Sequence, residues 1–355
     1  MTQTKLLLTG ATGFIGGTVL HQLLQLAETQ PAKLSITAIV RRSEQADLLA
    51  SKGVQTTLVS GLDDADGLAR AASSHDIVVN VATGFHVAAT KALIQGLSKR
   101  REQTGQDVHF LHSNLGNPQL SGTTCVSVPS VTPSSFELRT FPDQDDNIFE
   151  YEQTRDSQEA YAQRTAEVTA IQTSESLVVK AYVVMPPLVY GRGSGWFKDQ
   201  SHQIPTLIRN AIASGYAEHV DTGEAKLGHV HVEDLARLYV TLVAMILSGE
   251  EIPFGRNGYY FANTGSHKWV DVTSRIGKAG YDLGVLKSAS PRSISLKDAA
   301  EKLADGDVGY AEACFASNSS TRPDKAFAIG WKPLKTEHDW EHSIKSTFED
   351  ILQEQ

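Results

Sequence analysis

Apolar and polar positions in the N-terminal third of the chain follow two alternating periods. Short apolar runs at residues 5–9, 34–40, 54–59, 77–81 and 108–112 lack an in/out alternation, which predicts strands covered on both faces. Between them, residues 14–27, 45–52, 65–72 and 88–101 carry apolar positions at helical spacing. This succession predicts βαβ units and therefore an α/β fold built on a doubly wound parallel sheet. From 114 to 146 the pattern dissolves into Ser, Thr, Pro and Asp, a loop long enough to be functional or mobile. Helical spacing returns over 156–173, and a strand over 177–185 stops at Pro186-Pro187. Helices are expected over 204–214, 232–247, 269–279, 296–303 and 337–351, with a frayed tail at 352–355. The pattern divides the chain into a core over 1–190 and a smaller, mostly helical C-terminal cap over 191–355. The cap is interleaved with the core and closes over the carboxyl edge of the sheet.

The first run ends in Thr9-Gly10-Ala11-Thr12-Gly13-Phe14-Ile15-Gly16, three glycines spaced by two residues each at a strand-to-helix junction. Gly10 and Gly13 present no Cβ to a pyrophosphate, Gly16 lets the helix sit close to the sheet, and the helix N-terminus offers N–H groups to phosphate. A dinucleotide site in a Rossmann domain is the expectation. A net charge of −9 argues against a nucleic-acid backbone as main partner, and no segment approaches the ~20 apolar residues of a membrane span. The first strand starts so early that it leaves no room for a secretory signal. Cys125 and Cys314 form no metal or redox motif, so a reduced, cytoplasmic protein without a metal is expected.

Four blocks in order resemble the extended short-chain dehydrogenase/reductase superfamily, in its fungal epimerase/dehydratase-like and NmrA-like branch. They are the glycine turn, Asp76-Ile77-Val78-Val79-Asn80-Val81-Ala82, Pro186-Pro187-Leu188-Val189-Tyr190-Gly191, and Val230-His231-Val232-Glu233-Asp234-Leu235-Ala236. The resemblance implies that Gly10, Thr12, Gly13, Phe14, Ile15 and Gly16 bind the cofactor. It places Ala82, Thr83, Pro187, Leu188 and Val189 on the nicotinamide side, and Leu62 beside the adenine with Asp63 capping the next helix. An acidic residue after the second strand would favour NAD. Here stand Arg41 and Arg42, whose guanidinium groups suit a 2′-phosphate, so NADP(H) is the expected cofactor.

Family reductases use Tyr as acid/base, Lys four residues on, and a Ser or Thr to orient the carbonyl. The lysine matters because a free Tyr titrates near pH ~10. Tyr161 is followed at the fourth place by Thr165, and a second register puts Glu159 and Gln163 in the two places. Asn114 falls at the Ser position, and it cannot usefully transfer a proton. The candidates for catalysis are therefore Tyr161, Asn114 and Arg164, the last either anchoring substrate or pairing with Glu167. His86, Tyr190, Trp196 and Phe197 are candidates for the substrate wall. His231 and Asp234 are expected to be structural, and His229 with His231 lacks the partners that would complete a metal site.

These residues point to an NADP(H)-binding enzyme acting on a small, largely apolar metabolite, as the resemblance to fungal secondary-metabolism proteins implies. Oxidoreduction is the leading class. A non-redox cyclase or Diels–Alderase-like enzyme that keeps the cofactor as a wall is one alternative, and an NmrA-like NADP(H) sensor is another. A homodimer is compatible with either.

Overall fold

The computed structural model describes residues 3–29, 33–113 and 121–354. Strands β1 (Thr4–Thr9), β2 (Leu34–Val40), β3 (Gln55–Leu58), β4 (Ile77–Asn80) and β5 (His109–Ser113) alternate with helices α1 (Phe14–Thr29), α2 (Ser43–Ser51), α3 (Ala65–Ala72) and α4 (Val87–Thr104). Leu6–Leu8 and Ile77–Val79 are fully buried, as expected where helices cover both faces of a parallel sheet. Strand β3 lies at one edge of the sheet: it is shorter than its apolar run, and Leu58 is exposed.

The segment without periodicity is described from residue 121 onward. It forms a 3₁₀ turn (Gly122–Val126), β6 (Val128–Pro129) and β7 (Thr140–Pro142), then leads into α5 (Ile148–Gln158). Two buried acids hold it, Glu312 from the C-terminal part of the chain and Asp143 from the segment itself. Glu312 accepts the N–H groups of Val131 and Thr132 at 2.7 and 2.8 Å. Asp143 accepts those of Phe261 and Lys325 at 3.0 and 2.9 Å.

The helix expected over 156–173 is broken. α5 ends at Gln158 and α6 runs over Ala162–Ser176. Asp156 causes the break: its carboxylate accepts the Tyr161 N–H at 3.0 Å and the Thr165 hydroxyl at 2.9 Å. A side chain that binds backbone N–H in this way starts a new helix instead of continuing the old one.

Strands β8 (Lys180–Met185) and β9 (Leu188–Tyr190) flank Pro186-Pro187, and α7 (Gln203–Ser214), β10 (Glu218–Val220), β11 (Lys226–His231) and α8 (Val232–Ser248) follow. Beyond them lie β12 (Tyr259–Phe261), β13 (Gly265–Lys268), α9 (Trp269–Asp282), β14 (Arg292–Ile294), α10 (Leu296–Leu303) and α11 (Val308–Phe315). The chain closes with β15 (Ser317–Asn318), β16 (Ser320–Arg322), α12 (Asp324–Ala328) and α13 (Glu337–Gln353). The main sheet is parallel throughout, in the order β12-β8-β5-β4-β1-β2-β3. Helix α1 packs on α8 on one face, and α3, α4 and α6 pack on the other. Both β12 and α8 come from beyond residue 190, so the second half of the chain completes the core. None of the described helices is long and apolar enough to cross a membrane.

The cap has its own core, formed by α7, α9, α10, α11 and α13 around the small sheet β13-β11-β9. At its centre the Trp340 ring stacks on His229 at 4.3 Å and on His267 at 5.1 Å. The two histidines face each other through their Nδ1 atoms at 3.2 Å. One ring must donate and the other accept, so the two cannot both be charged. Burial drives their pKa values down, to about 4 for His229 and about 3 for His267. The unfolded chain binds protons at these rings near pH ~6.5 and the folded chain does not. Their contribution to stability is therefore complete above that pH and is lost as pH falls toward 4. Replacing His267 with Phe should reduce the slope of unfolding free energy against pH between 4 and 6.5 by up to ~1.4 kcal/mol per pH unit. Urea titrations across that window measure it, and an unchanged slope would contradict the neutral pair.

Candidate functional site

Strand order reverses between β1 and β4, which places a crevice at the carboxyl ends of these strands, the usual ligand position in such sheets. The β1–α1 turn lines it. Gly10 has φ +74°, and a Cβ there would lie 2.7 Å from the Val81 carbonyl. A Cβ on Gly16 would come within 2.1 Å of the Gly10 carbonyl oxygen, whereas Gly13 has only that oxygen near it, at 3.3 Å. The first turn of α1 carries no acidic side chain, so its N-terminal N–H groups and dipole suit an anion.

The opposite lip is held by Thr9. Its hydroxyl donates to Asn80 Oδ1 at 2.7 Å and accepts the N–H groups of Val81 and Ala82, both at 3.2 Å. The Asn80 amide donates to the Thr83 carbonyl at 3.3 Å and to His112 Nδ1 at 3.1 Å. Burial lowers the pKa of His112 to about 4, which leaves that nitrogen free to accept. The network sets Ala82 and Thr83 across from the glycine turn.

At the end of β2, Arg41 and Arg42 are exposed. Gln45 Oε1 accepts both of their backbone N–H groups at 3.2 Å, while neither guanidinium has a carboxylate within 4 Å among the described residues. Leu62, after β3, is half-buried against the core layer of α3 and α4. The expected helix cap at Asp63 is corrected: Asp64 caps α3, accepting the Gly67 N–H at 2.8 Å. Asp63 instead meets His86 Nε2 at 3.1 Å. Because His86 Nδ1 accepts the Ala89 N–H at 3.1 Å, its proton sits on Nε2 and is donated to Asp63.

Tyr161 stands at the N-terminus of α6 as its N-cap, where its carbonyl accepts the Thr165 N–H at 2.9 Å. Its hydroxyl donates to Gln163 Oε1 and lies 3.1 Å from Thr124 Oγ1. Burial pushes the phenol pKa well up, against the opposing pull of Thr124 and Arg164. Thr124 is a hydroxyl that sequence reasoning missed. It lies beyond the aperiodic segment, and it reaches Tyr161 because the Pro186 carbonyl accepts the Thr123 N–H and the Ser121 hydroxyl, both at 3.1 Å. Asn114, expected in the hydroxyl place, lies outside the described residues.

Arg164 is buried behind Tyr161, donating to the carbonyls of Glu159 at 2.8 Å and Cys125 at 3.3 Å. Glu152 and Glu167 are buried close by, and the guanidinium counters their charge. Leu188 is buried and Val189 half-buried on β9 beside Pro187. Tyr190 is enclosed in the cap core between His229, His231 and Trp340. Trp196 and Phe197 pack against the α1–α8 layer, with Trp196 edge-on to His21. Structural roles hold His231 and Asp234. His231 accepts the Glu233 N–H at 3.1 Å, and Asp234 accepts those of Leu334 and Lys335 at 2.8 and 2.9 Å.

The sequence model of the NAD-dependent epimerase/dehydratase family matches residues 6–253. The chain belongs to that family. Over 347 residues it is 27% identical to the oxidase ucsJ of an Acremonium species, covering 93% of each chain. A dTDP-4-dehydro-6-deoxy-D-allose reductase of Streptomyces bikiniensis is 26% identical over 246 residues, covering 67% of this chain and 72% of the reductase. Among solved structures, the dTDP-glucose 4,6-dehydratase DesIV of Streptomyces venezuelae, with NAD and TYD bound, superposes with a TM-score of 0.64 at 16% identity. That match covers 98% of this chain and 97% of DesIV. Vestitone reductase of alfalfa gives 0.58 at 14% identity, covering 98% and 99%. These two likenesses concern the fold.

The glycine turn can be tested without a ligand. Gly16→Ala forces a methyl group onto the Gly10 carbonyl and should lower unfolding free energy by about 1–3 kcal/mol. Denaturant midpoints of the two proteins report the loss, and equal midpoints would mean that α1 can move off β1 freely.

Proposed function

We propose that this chain is an NADP(H)-dependent oxidoreductase acting on a small, largely apolar metabolite. The observation that carries the cofactor choice is the exposed Arg41-Arg42 pair, with no carboxylate within 4 Å of either guanidinium among the described residues, beside the β1–α1 glycine turn. A guanidinium meets a phosphate bidentately, whereas an acid at this place would repel it. Gly10, Thr12, Gly13, Phe14, Ile15 and Gly16 would hold the pyrophosphate. Leu62 would face the adenine, and Ala82, Thr83, Pro187, Leu188 and Val189 the nicotinamide. When bound, the cofactor supplies or takes a hydride. Similarity to a fungal oxidase along nearly the whole chain supports redox chemistry over cyclisation.

The protein's own residues restrict the proton chemistry. With its phenol held far above neutral and no lysine to lower it, Tyr161 keeps its proton. Together with Thr124 it orients a polar atom of the substrate by hydrogen bonding. An iminium suits this site, because hydride addition leaves a neutral amine and needs no acid; an imine or an activated alkene would take its proton from a donor other than Tyr161.

Two measurements test the reading. By calorimetry, NADP(H) should bind more tightly than NAD(H). Substituting Ala for Arg41 and Arg42 should weaken NADP(H) by roughly tenfold or more per lost contact and leave NAD(H) almost unchanged; equal affinities in the unaltered protein would refute the cofactor choice. In single turnover with NADPH deuterated at the transferable position, deuterium should appear in the product with stoichiometric NADP⁺. Product formed at full rate with NADP⁺ alone, without label, would make the protein a cyclase.

A further inference from the structure

Outside the crevice, one buried cluster has polar atoms that the fold leaves unanswered. Cys125 from the 3₁₀ turn, Glu152 from α5 and Glu167 from α6 converge with a ligand atom from each within 4.8 Å of the others. All three residues are completely buried. Among the described residues no hydrogen bond from outside the cluster reaches the four carboxylate oxygens or the hydroxyl of Tyr259, which is 1% exposed and meets Glu152 from β12; the two carboxyls face each other, and Glu167 meets the Cys125 thiol. Buried polar groups are almost always satisfied, so a closed space in which two carboxyls, a thiol and a phenol answer only one another points to a shared occupant, a proton or a cation.

We propose that Cys125, Glu152 and Glu167 bind a thiophilic divalent cation, with zinc as the natural choice and the Tyr259 hydroxyl available as a fourth donor. Carboxylates alone would suit magnesium or calcium, but a thiol among them selects zinc or cobalt. Charge supports the assignment. Two carboxylates and a thiolate carry three negative charges, and the cation together with Arg164 supplies three positive ones. Arg155, the other buried cation nearby, is occupied by the Ser127 carbonyl at 2.6 Å and by Glu159 at 3.7 Å. Without the ion, neutrality requires a protonated thiol and one proton retained by the two carboxyls, whose titration burial displaces upward. Binding therefore releases two protons, and affinity rises with pH. The four side chains come from four elements, so an ion here would fasten α5 and the 3₁₀ turn carrying Thr124 to the sheet. This assignment is independent of the proposed redox activity.

The probe is zinc alone, supplied in the growth medium so that it can enter during folding. Purified protein should retain one zinc per chain after dialysis against a weak chelator, as counted by elemental analysis. Cobalt in its place should show a thiolate-to-metal charge-transfer band. Cys125→Ser should abolish that band, and Glu152→Gln should lower zinc retention at least tenfold. Because a variant could misfold, the cobalt spectrum of the unaltered protein stands as a separate measurement. Absence of both retained zinc and the band in the unaltered protein, or retention by both variants equal to that of the unaltered protein, would overturn the proposal and leave a proton shared between Glu152 and Glu167 as the occupant.

Discussion

The close approach of α1 to the end of β1 is the contact on which the rest of the molecule is built. Gly16 lies so near the Gly10 carbonyl that no side chain fits between them. On the same helix, a Cβ on Gly17 would lie only 3.0 Å from Gly195 Cα. The first contact puts the helix N-terminus over the crevice. The second brings the chain leaving β9 back across α1, so the cap begins from a fixed point. Thr9 and Asn80 complete the arrangement from the other side, using buried hydrogen bonds that would be costly to leave unmade.

Proton chemistry in the crevice depends on a different local event. Asp156 ends α5 and starts α6 by capturing backbone and side-chain donors, and this moves Tyr161 from a helical face to a helix terminus. Gln163 and Thr124 then close around its hydroxyl. A carboxamide and an alcohol can hold a phenol in place but cannot stabilise its anion as an ammonium group would. These residues are thus consistent with one another: Gln163 and Thr124 hold the Tyr161 hydroxyl, and burial opposes its ionisation.

Arg164 connects this region to the buried acids behind it. Its guanidinium donates to two carbonyls and offsets only one of two carboxylate charges. Desolvated ions without full compensation cost several kcal/mol each, so the remaining charge demands a proton or a cation. The turn carrying Cys125 also carries Thr124, which means that whatever occupies the acid cluster bears on the position of the hydroxyl that faces Tyr161.

The amino-acid sequence by itself determined the features that depend on neighbours in the chain. Apolar runs of two-sided burial set β1, β2, β4 and β5, helical spacing set α1 to α4, and three glycines at intervals of three marked the turn between β1 and α1. The exposed Arg41-Arg42 pair was readable for the same reason, since it directly follows a legible strand. Tertiary structure alone decided what depends on packing over long separations. β12 joined the main sheet across some 75 residues from β8, although its apolar run is too short to announce a strand. Asp156 chose a cap over a continuous helix, a competition between local hydrogen bonds that periodicity does not register. Thr124 met Tyr161, and Cys125 met Glu152 and Glu167, because an aperiodic segment was pinned by Glu312, Asp143 and the Pro186 carbonyl; such partners have no fixed spacing in sequence, only a common place in the folded core.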